Sequence, residues 1–129
     1  MHLTPRHTGV MRTAFVHDAL LDPAPALDHR APGGAVTIAL CGSLEHEPPC
    51  PVAAHHTTVE VEGSQLRVRV LFAAEAAEEA RVRALVDGAL AGGEWTYPDG
   101  VVSTWTLVSS GPDEVRATER DHADRLITS

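Results

Sequence analysis

Lysine and asparagine are both absent from this chain, and all ten of its basic residues are arginine. They are outnumbered by 18 acidic residues, which gives a formal net charge of -8 at pH 7. A protein that neutralises phosphate groups needs a clustered basic face. Here Asp and Glu stand among most of the scattered arginines. We therefore expect neither a nucleic acid nor an anionic membrane as a partner.

Long apolar runs are also missing. No stretch approaches the roughly 20 apolar residues of a membrane-spanning helix, and residues 1–10 lack the apolar segment of a secretory signal. These absences predict a cytoplasmic protein. A length of 129 residues with 43% hydrophobic residues is sufficient for one domain with a real core. We expect residues 1–11 to be a flexible leader and residues 12–129 to be a single α+β domain.

Alternation of apolar and charged residues predicts the clearest strands. It runs through 57–62 and again through 65–72, and Gly63-Ser64 supplies the turn of a hairpin between them. Two apolar runs of strand length precede this hairpin, at 15–21 and at 35–40.

Helical spacing of apolar residues predicts a long amphipathic helix over 76–91, which Gly92-Gly93 would end. A second hairpin is expected from 94–97 and 101–108, with Gly111-Pro112 breaking its last strand, and a short helix follows Thr118. The fold class is therefore α+β. We expect a mostly antiparallel sheet of about five to six strands, with one long and one short helix packed on one face. This is a two-layer sandwich, and a ferredoxin-like variant is one arrangement compatible with it.

Cysteine is scarce, and both cysteines fall in one segment, 41–56, with three histidines. The spacing is Cys41-x4-His46-x3-Cys50-x4-His55, and His56 is an alternative last ligand. Zinc favours about four thiolate and imidazole ligands in a tetrahedron. Three prolines restrict the loop that would surround the ion. We expect a zinc site here, with a structural role if four residues bind and an open position if only three do.

Other interpretations of the same residues stay open. Copper bound by two histidines and one cysteine is a competitor, although the usual axial methionine is missing, and mononuclear iron is another. The cysteines could instead be buried thiols or form a disulfide. Because consecutive side chains of a strand point to opposite faces, His55 and His56 are not expected to share one ion if the strand already includes them.

Two functions without a metal are also compatible with the sequence. The few aromatic residues gather at Trp95, Tyr97 and Trp105, and their shared face could dock a partner or a second copy in a homodimer. Alternatively, Cys41 or Cys50 could act as a nucleophile or redox thiol with a neighbouring histidine as base. The sequence offers no recognisable oxyanion donors for such an enzyme, so whether the protein is a catalyst stays open.

Overall fold

The computed structural model describes residues 11–25, 28–41 and 53–128. The predicted leader lies outside these residues except for Met11. The elements in chain order are β1 (Arg12–Pro23), α1 (Ala31–Cys41), β2 (Ala54–Glu62), β3 (Gln65–Glu75), α2 (Glu79–Ala91), β4 (Glu94–Thr96), β5 (Val102–Asp113) and α3 (Arg120–Ile127). Short 3-10 turns lead into α2 and α3. None of the helices described is long and apolar enough to cross a membrane.

The sheet has the order β2-β3-β1-β5-β4, and every neighbouring pair is antiparallel. The β2–β3 hairpin turns at Gly63, whose φ of 62° suits a residue without a side chain. β1 lies at the centre and pairs with β3 on one side and β5 on the other. The predictions of an α+β fold, an antiparallel sheet and two hairpins are confirmed. A ferredoxin-like arrangement is not confirmed.

The main hydrophobic core lies between the sheet and the pair α1 and α2. Alternate residues of β1 and β3 face these helices and include Leu21, Val68, Val70 and Phe72. The helices contribute a second set of buried side chains: Val36, Leu40, Val82, Val86 and Leu90. These layers form the two-layer sandwich, and the long helix predicted over 76–91 is present as α2 and its 3-10 turn.

The short helix α3 covers part of the opposite face of the sheet. A second buried cluster joins Val16 of β1, Leu71 of β3 and Ala123 of α3. Side chains alternate between the two faces of a strand, so Val16 and Leu71 point to the face opposite Leu21 and Val70, away from the main core. In this respect the structure differs from the prediction, which placed both helices on one face. The amphipathic pattern identified α3 but could not assign it to a side of the sheet.

The prediction of a strand at residues 35–40 is wrong, because the segment lies within the helix α1. α1 is enclosed by α2, β2 and β4, so apolar residues occur all round it and leave no helical stripe. A short apolar run of this kind does not distinguish a buried strand from a buried helix. Pro32 is compatible with the helix because it lies in the first turn, where backbone N–H groups have no helical partner.

The prediction that Gly111-Pro112 ends the last strand is also wrong, since β5 continues to Asp113. β4 pairs only with residues 102–104 of β5. Beyond that point β5 pairs only with β1 within the described residues. A proline is tolerated in such an edge position when its missing N–H would face away from the ladder.

The aromatic residues of the β4–β5 hairpin pack together as expected. Trp105 is 5% exposed, and its indole Nε1 donates a hydrogen bond to the Leu90 carbonyl oxygen at 2.8 Å. Trp95 lies over Gly34 of α1, where an added Cβ would come within 3.0 Å of the indole ring. Gly34 thus permits the close approach of α1 to β4.

We expect Gly34→Leu to lower the free energy of unfolding by about 1–3 kcal/mol, because the side chain would displace Trp95 from the core. The matched control is Gly88→Leu, at a helical glycine of α2 with open space around its Cβ position. That change should be neutral or stabilising by up to about 1 kcal/mol. Urea denaturation followed by tryptophan fluorescence measures both, and equal stabilities of the two variants would contradict the proposed packing.

Candidate functional site

The structure brings two of the predicted metal ligands together. Cys41 is the last residue of α1, and His55 is the second residue of β2. The Cys41 Sγ atom lies 3.6 Å from His55 Nδ1, and Cys41 is 4% exposed. The other ring nitrogen, Nε2, lies 3.4 Å from the hydroxyl of Thr37. The helix end and the strand start therefore hold a sulfur and an imidazole in contact.

Cys41 is disulfide-bonded in this structure. The only other cysteine in the sequence is Cys50, which lies outside the described residues. A disulfide, one of the alternatives that the sequence left open, is therefore present at Cys41. A sulfur engaged in a disulfide is not a thiolate, so it cannot serve as a metal ligand until it is reduced.

The remaining predicted ligands separate into two groups. His46 and Cys50 lie outside the described residues, as do Glu45 and Glu47. His56 is described, and it points to the face of the sheet opposite His55. Among residues 11–25, 28–41 and 53–128, no group of three or more His, Cys, Asp or Glu side chains is placed to hold a metal ion.

An open groove of about 560 Å³ runs beside the Cys41–His55 contact, between α1 and β2. Its lining includes Gly33, Thr37, His55 and Thr57. Gly33 permits this closeness, because a Cβ there would already touch the Thr57 methyl group at 3.7 Å. The hydroxyl oxygen of Thr57 is buried and has no hydrogen-bond partner within the described part of the chain. The groove gives solvent and small ligands access to the imidazole of His55.

The position of Cys41 affects the charge state that its sulfur favours. The C-terminal end of a helix carries partial negative charge from unpaired carbonyl groups. A bare thiolate is disfavoured there, whereas a bound cation is favoured. The end of α1 is therefore better suited to a metal-bound thiolate than to a free nucleophilic one.

On the opposite face, His56 of β2 stacks against His122 of α3. Their ring centroids are 4.0 Å apart and their planes differ by 29°. Burial lowers the pKa of His122, and the nearby His56 and Arg125 lower it further. No local pattern predicts this pair, because the two residues are far apart in the chain.

His17 of β1 is a buried histidine and is 2% exposed. Its Nε2 lies 2.6 Å from Asp87 Oδ1, and its Nδ1 lies 3.1 Å from Arg83 Nη1. Because guanidinium groups only donate, Nδ1 accepts and Nε2 donates its proton to Asp87. Ser110 also donates to Asp87 Oδ1, at 2.5 Å. Serine and histidine thus share the carboxylate, which is not the arrangement that activates a serine nucleophile.

Arg69 is the most completely engaged charged residue that the structure describes. It is 1% exposed. Its guanidinium bonds Glu119 twice, at 2.8 and 3.0 Å, Asp18 at 2.9 Å and Asp113 at 2.6 Å. The Glu114 carbonyl oxygen accepts the last donor at 3.0 Å. All five N–H donors are satisfied, so Arg69 attaches the segment before α3 to the sheet.

This attachment shifts the acidity of its partners. The hydrogen bond from Arg69 is the main cause that lowers the pKa of Glu119, and it also lowers the pKa of Asp113. The cluster is a structural ion-pair network, because all five N–H donors of Arg69 bind protein oxygen atoms. Perturbed carboxylates here therefore do not indicate catalysis.

Comparisons of the chain with protein-family models, with curated proteins and with solved structures find no match. The functional interpretation accordingly rests on the residues and geometry described above.

We expect Arg69→Met to lower the free energy of unfolding by about 3 kcal/mol, because it leaves partly buried carboxylates without a partner. The matched control is Arg116→Met, which breaks the exposed ion pair with Glu60 at 2.8 Å. Exposed pairs of that kind contribute less than about 1 kcal/mol. Denaturant unfolding measures both variants, and a loss for Arg69→Met no larger than that of the control would contradict the structural role of the cluster.

Low pH should reduce the contribution of the Arg69–Glu119 pair to the stability of the protein. Because the pKa of Glu119 is lower in the folded protein, its contribution is fully present above pH 4.5 and is lost as pH falls through the lowered value. Glu119→Gln should therefore be less stable than wild type at neutral pH, and the difference should shrink as the pH falls below 4.5. Urea unfolding at a series of pH values tests this, and a difference that does not change with pH would contradict it.

Proposed function

We propose that this protein is a small zinc-binding domain whose site is assembled when the Cys41 disulfide is reduced. One observation carries the proposal: the Cys41 sulfur and the His55 Nδ1 atom are 3.6 Å apart. Tetrahedral zinc with bonds of about 2.3 Å to sulfur and about 2.0–2.1 Å to nitrogen separates its S and N ligands by about 3.6 Å. The two atoms that the fold brings together thus have the spacing of two ligands of one zinc ion.

The rest of the ligand set comes from the sequence spacing. His46 and Cys50 lie in the segment between α1 and β2, so both belong to the chain that connects the two ends of the site. Of the two histidines that could be the last ligand, the proposal uses His55, because the strand directs His56 to the other face. Glu45 and Glu47 are candidates to accept hydrogen bonds from a ligand histidine.

Reduction is the step that makes the ligands available. Two electrons from a cellular thiol pair break the S–S bond, the two cysteines take up protons as thiols, and the thiol pair becomes a disulfide. Zinc then displaces the thiol protons and binds the thiolates. The oxidised form, which this structure represents at Cys41, would be metal-free at this site.

Zinc is preferred to copper and iron because two thiolates and two imidazoles are a tetrahedral ligand set typical of structural zinc. The groove beside His55 leaves room for water or substrate if fewer than four residues bind. Four protein ligands would give a structural site, and fewer would give an open one.

Two alternatives have less support. A nucleophilic thiol is disfavoured because Cys41 is buried at the C-terminal end of α1. An interaction module was expected to use Trp95, Tyr97 and Trp105, but these residues pack against the main core. A homodimer therefore stays a prediction that would need another surface. A cytoplasmic location fits a site that requires reduced thiols, and it is part of the proposal.

We expect the reduced, untagged protein to bind one equivalent of Co²⁺, used as a spectroscopic substitute for Zn²⁺, with a sulfur-to-cobalt charge-transfer band. The band is expected because thiolate must coordinate the ion, and Zn²⁺ should displace Co²⁺ and remove it. Cys50→Ser and His55→Ala should each weaken zinc binding by about tenfold or more. Zinc should also raise the melting temperature, since binding only to the folded state adds to its stability.

The oxidised protein is the matched control, because it has the same sequence without the thiols. It should show no charge-transfer band. A reduced protein that binds Co²⁺ without that band, or that binds less than about 0.2 equivalents of metal, would overturn the proposal.

A further inference from the structure

The stacked histidines on the α3 face are a pair of imidazoles separate from Cys41 and His55. His56 is held by the β2–β3 ladder. His122 is held because its neighbour Ala123 is fully buried against Val16 and Leu71. The Glu119–Arg69 bonds fix the turn that precedes α3. Two imidazoles from distant parts of the chain are thus placed side by side by independent contacts.

The ring nitrogens of this pair are not committed to other groups. The contacts of His56 and His122 within the described residues are the stacking of their rings and the electrostatic effects of nearby charges. Neither ring has a hydrogen-bond partner in those parts of the chain. His56 is exposed, and His122 is partly exposed without a buried ring nitrogen that lacks a partner. Both rings are therefore accessible to solvent. Exposed imidazole nitrogens without a protein acceptor are available to bind a metal ion.

From these observations we propose that His56 and His122 bind one borderline divalent transition ion, such as Zn²⁺ or Cu²⁺, between β2 and α3. Two imidazole nitrogens bound to one tetrahedral zinc ion lie about 3.3 Å apart. The ring centroids are 4.0 Å apart, and the tilt of 29° brings one pair of ring edges closer than that. Because the χ2 angle of histidine is broad, rotation of the two rings about it would direct one nitrogen of each to a shared ion.

The pocket beside the pair has room for the ion and its remaining ligands. It has a volume of about 220 Å³, and its lining includes Thr58 and Thr118. The ion would carry two protein ligands and complete its coordination with water or with an oxygen of a small ligand. This is an exchangeable site rather than a closed structural one.

The charges around the pocket set the expected strength of binding. Arg116 is paired with Glu60, and Arg69 is paired with Glu119, so these four residues nearly cancel. Arg125 acts on His122 as an uncancelled positive charge in the electrostatics of that ring. Its repulsion weakens binding of a cation. Arg125→Gln should therefore tighten metal binding by a few-fold, an effect opposite to that of removing a ligand.

The test uses the full-length, untagged, oxidised protein, in which thiolates are not available. Zn²⁺ alone is titrated by calorimetry, and Cu²⁺ alone by electron paramagnetic resonance, which reports coordinated nitrogens. Wild type should bind one equivalent of either ion. His122→Phe and His56→Phe keep a stacked ring but remove the nitrogens, and each should weaken binding by about tenfold or more. His122→Gln provides a second ligand deletion if either Phe variant fails to fold.

His29→Phe is the control, since His29 lines the groove on the other face and belongs to neither proposed metal site. It should bind as wild type does. Zinc should raise the melting temperature of wild type and of His29→Phe but not of His122→Phe, because the ion links α3 to β2. No binding by the oxidised protein, or binding that is unchanged in both His56→Phe and His122→Phe, would overturn this inference. Neither result would affect the charge-transfer band expected of the reduced protein. Each of the two metal proposals can therefore be contradicted while the other stands.

Discussion

The pairing of β1 with both β3 and β5 is the constraint on which the rest of the structure depends. From Val16 to Leu21 both edges of β1 are paired within the sheet, so over this stretch β1 contacts the helices through its two faces. Its alternate residues supply the floor of the main core on one side and the docking surface of α3 on the other. Asp18 and His17, adjacent in sequence, consequently serve two separate polar networks on the two faces.

The same alternation separates the chemistry of β2. His55 faces α1 and meets the sulfur of Cys41, whereas His56 faces α3 and meets His122. Two neighbouring histidines therefore belong to two different environments, one next to the disulfide-bonded sulfur of Cys41 and one next to a second imidazole. A shift of one residue in the β2–β3 register would exchange them, so the hairpin register fixes both candidate sites at once.

Sequence reasoning recovered the features that depend on local pattern. The β2–β3 hairpin follows from alternation and a glycine turn, and the long helix follows from its apolar stripe. The separation of His55 from His56 was anticipated because strand parity is a local rule. α1 was missed because a helix enclosed on several sides has no polar face to reveal it. The networks of Arg69 and His17 join residues about 50 to 70 positions apart, and no local pattern encodes such contacts.

The absence of lysine has a further consequence when combined with the position of Arg67 and Arg69. A trypsin-like protease can cut this chain only after arginine, and these two bonds lie in β3, which is paired on both sides. Cleavage there requires the local sheet to open, because a protease must bind its substrate in an extended, unpaired form. Cuts after Arg67 or Arg69 would thus report opening of the centre of the sheet, whereas cuts after the exposed Arg30 would report only motion of a surface loop. The arginines that form ion pairs on the sheet are thus also the residues after which cleavage would detect its opening.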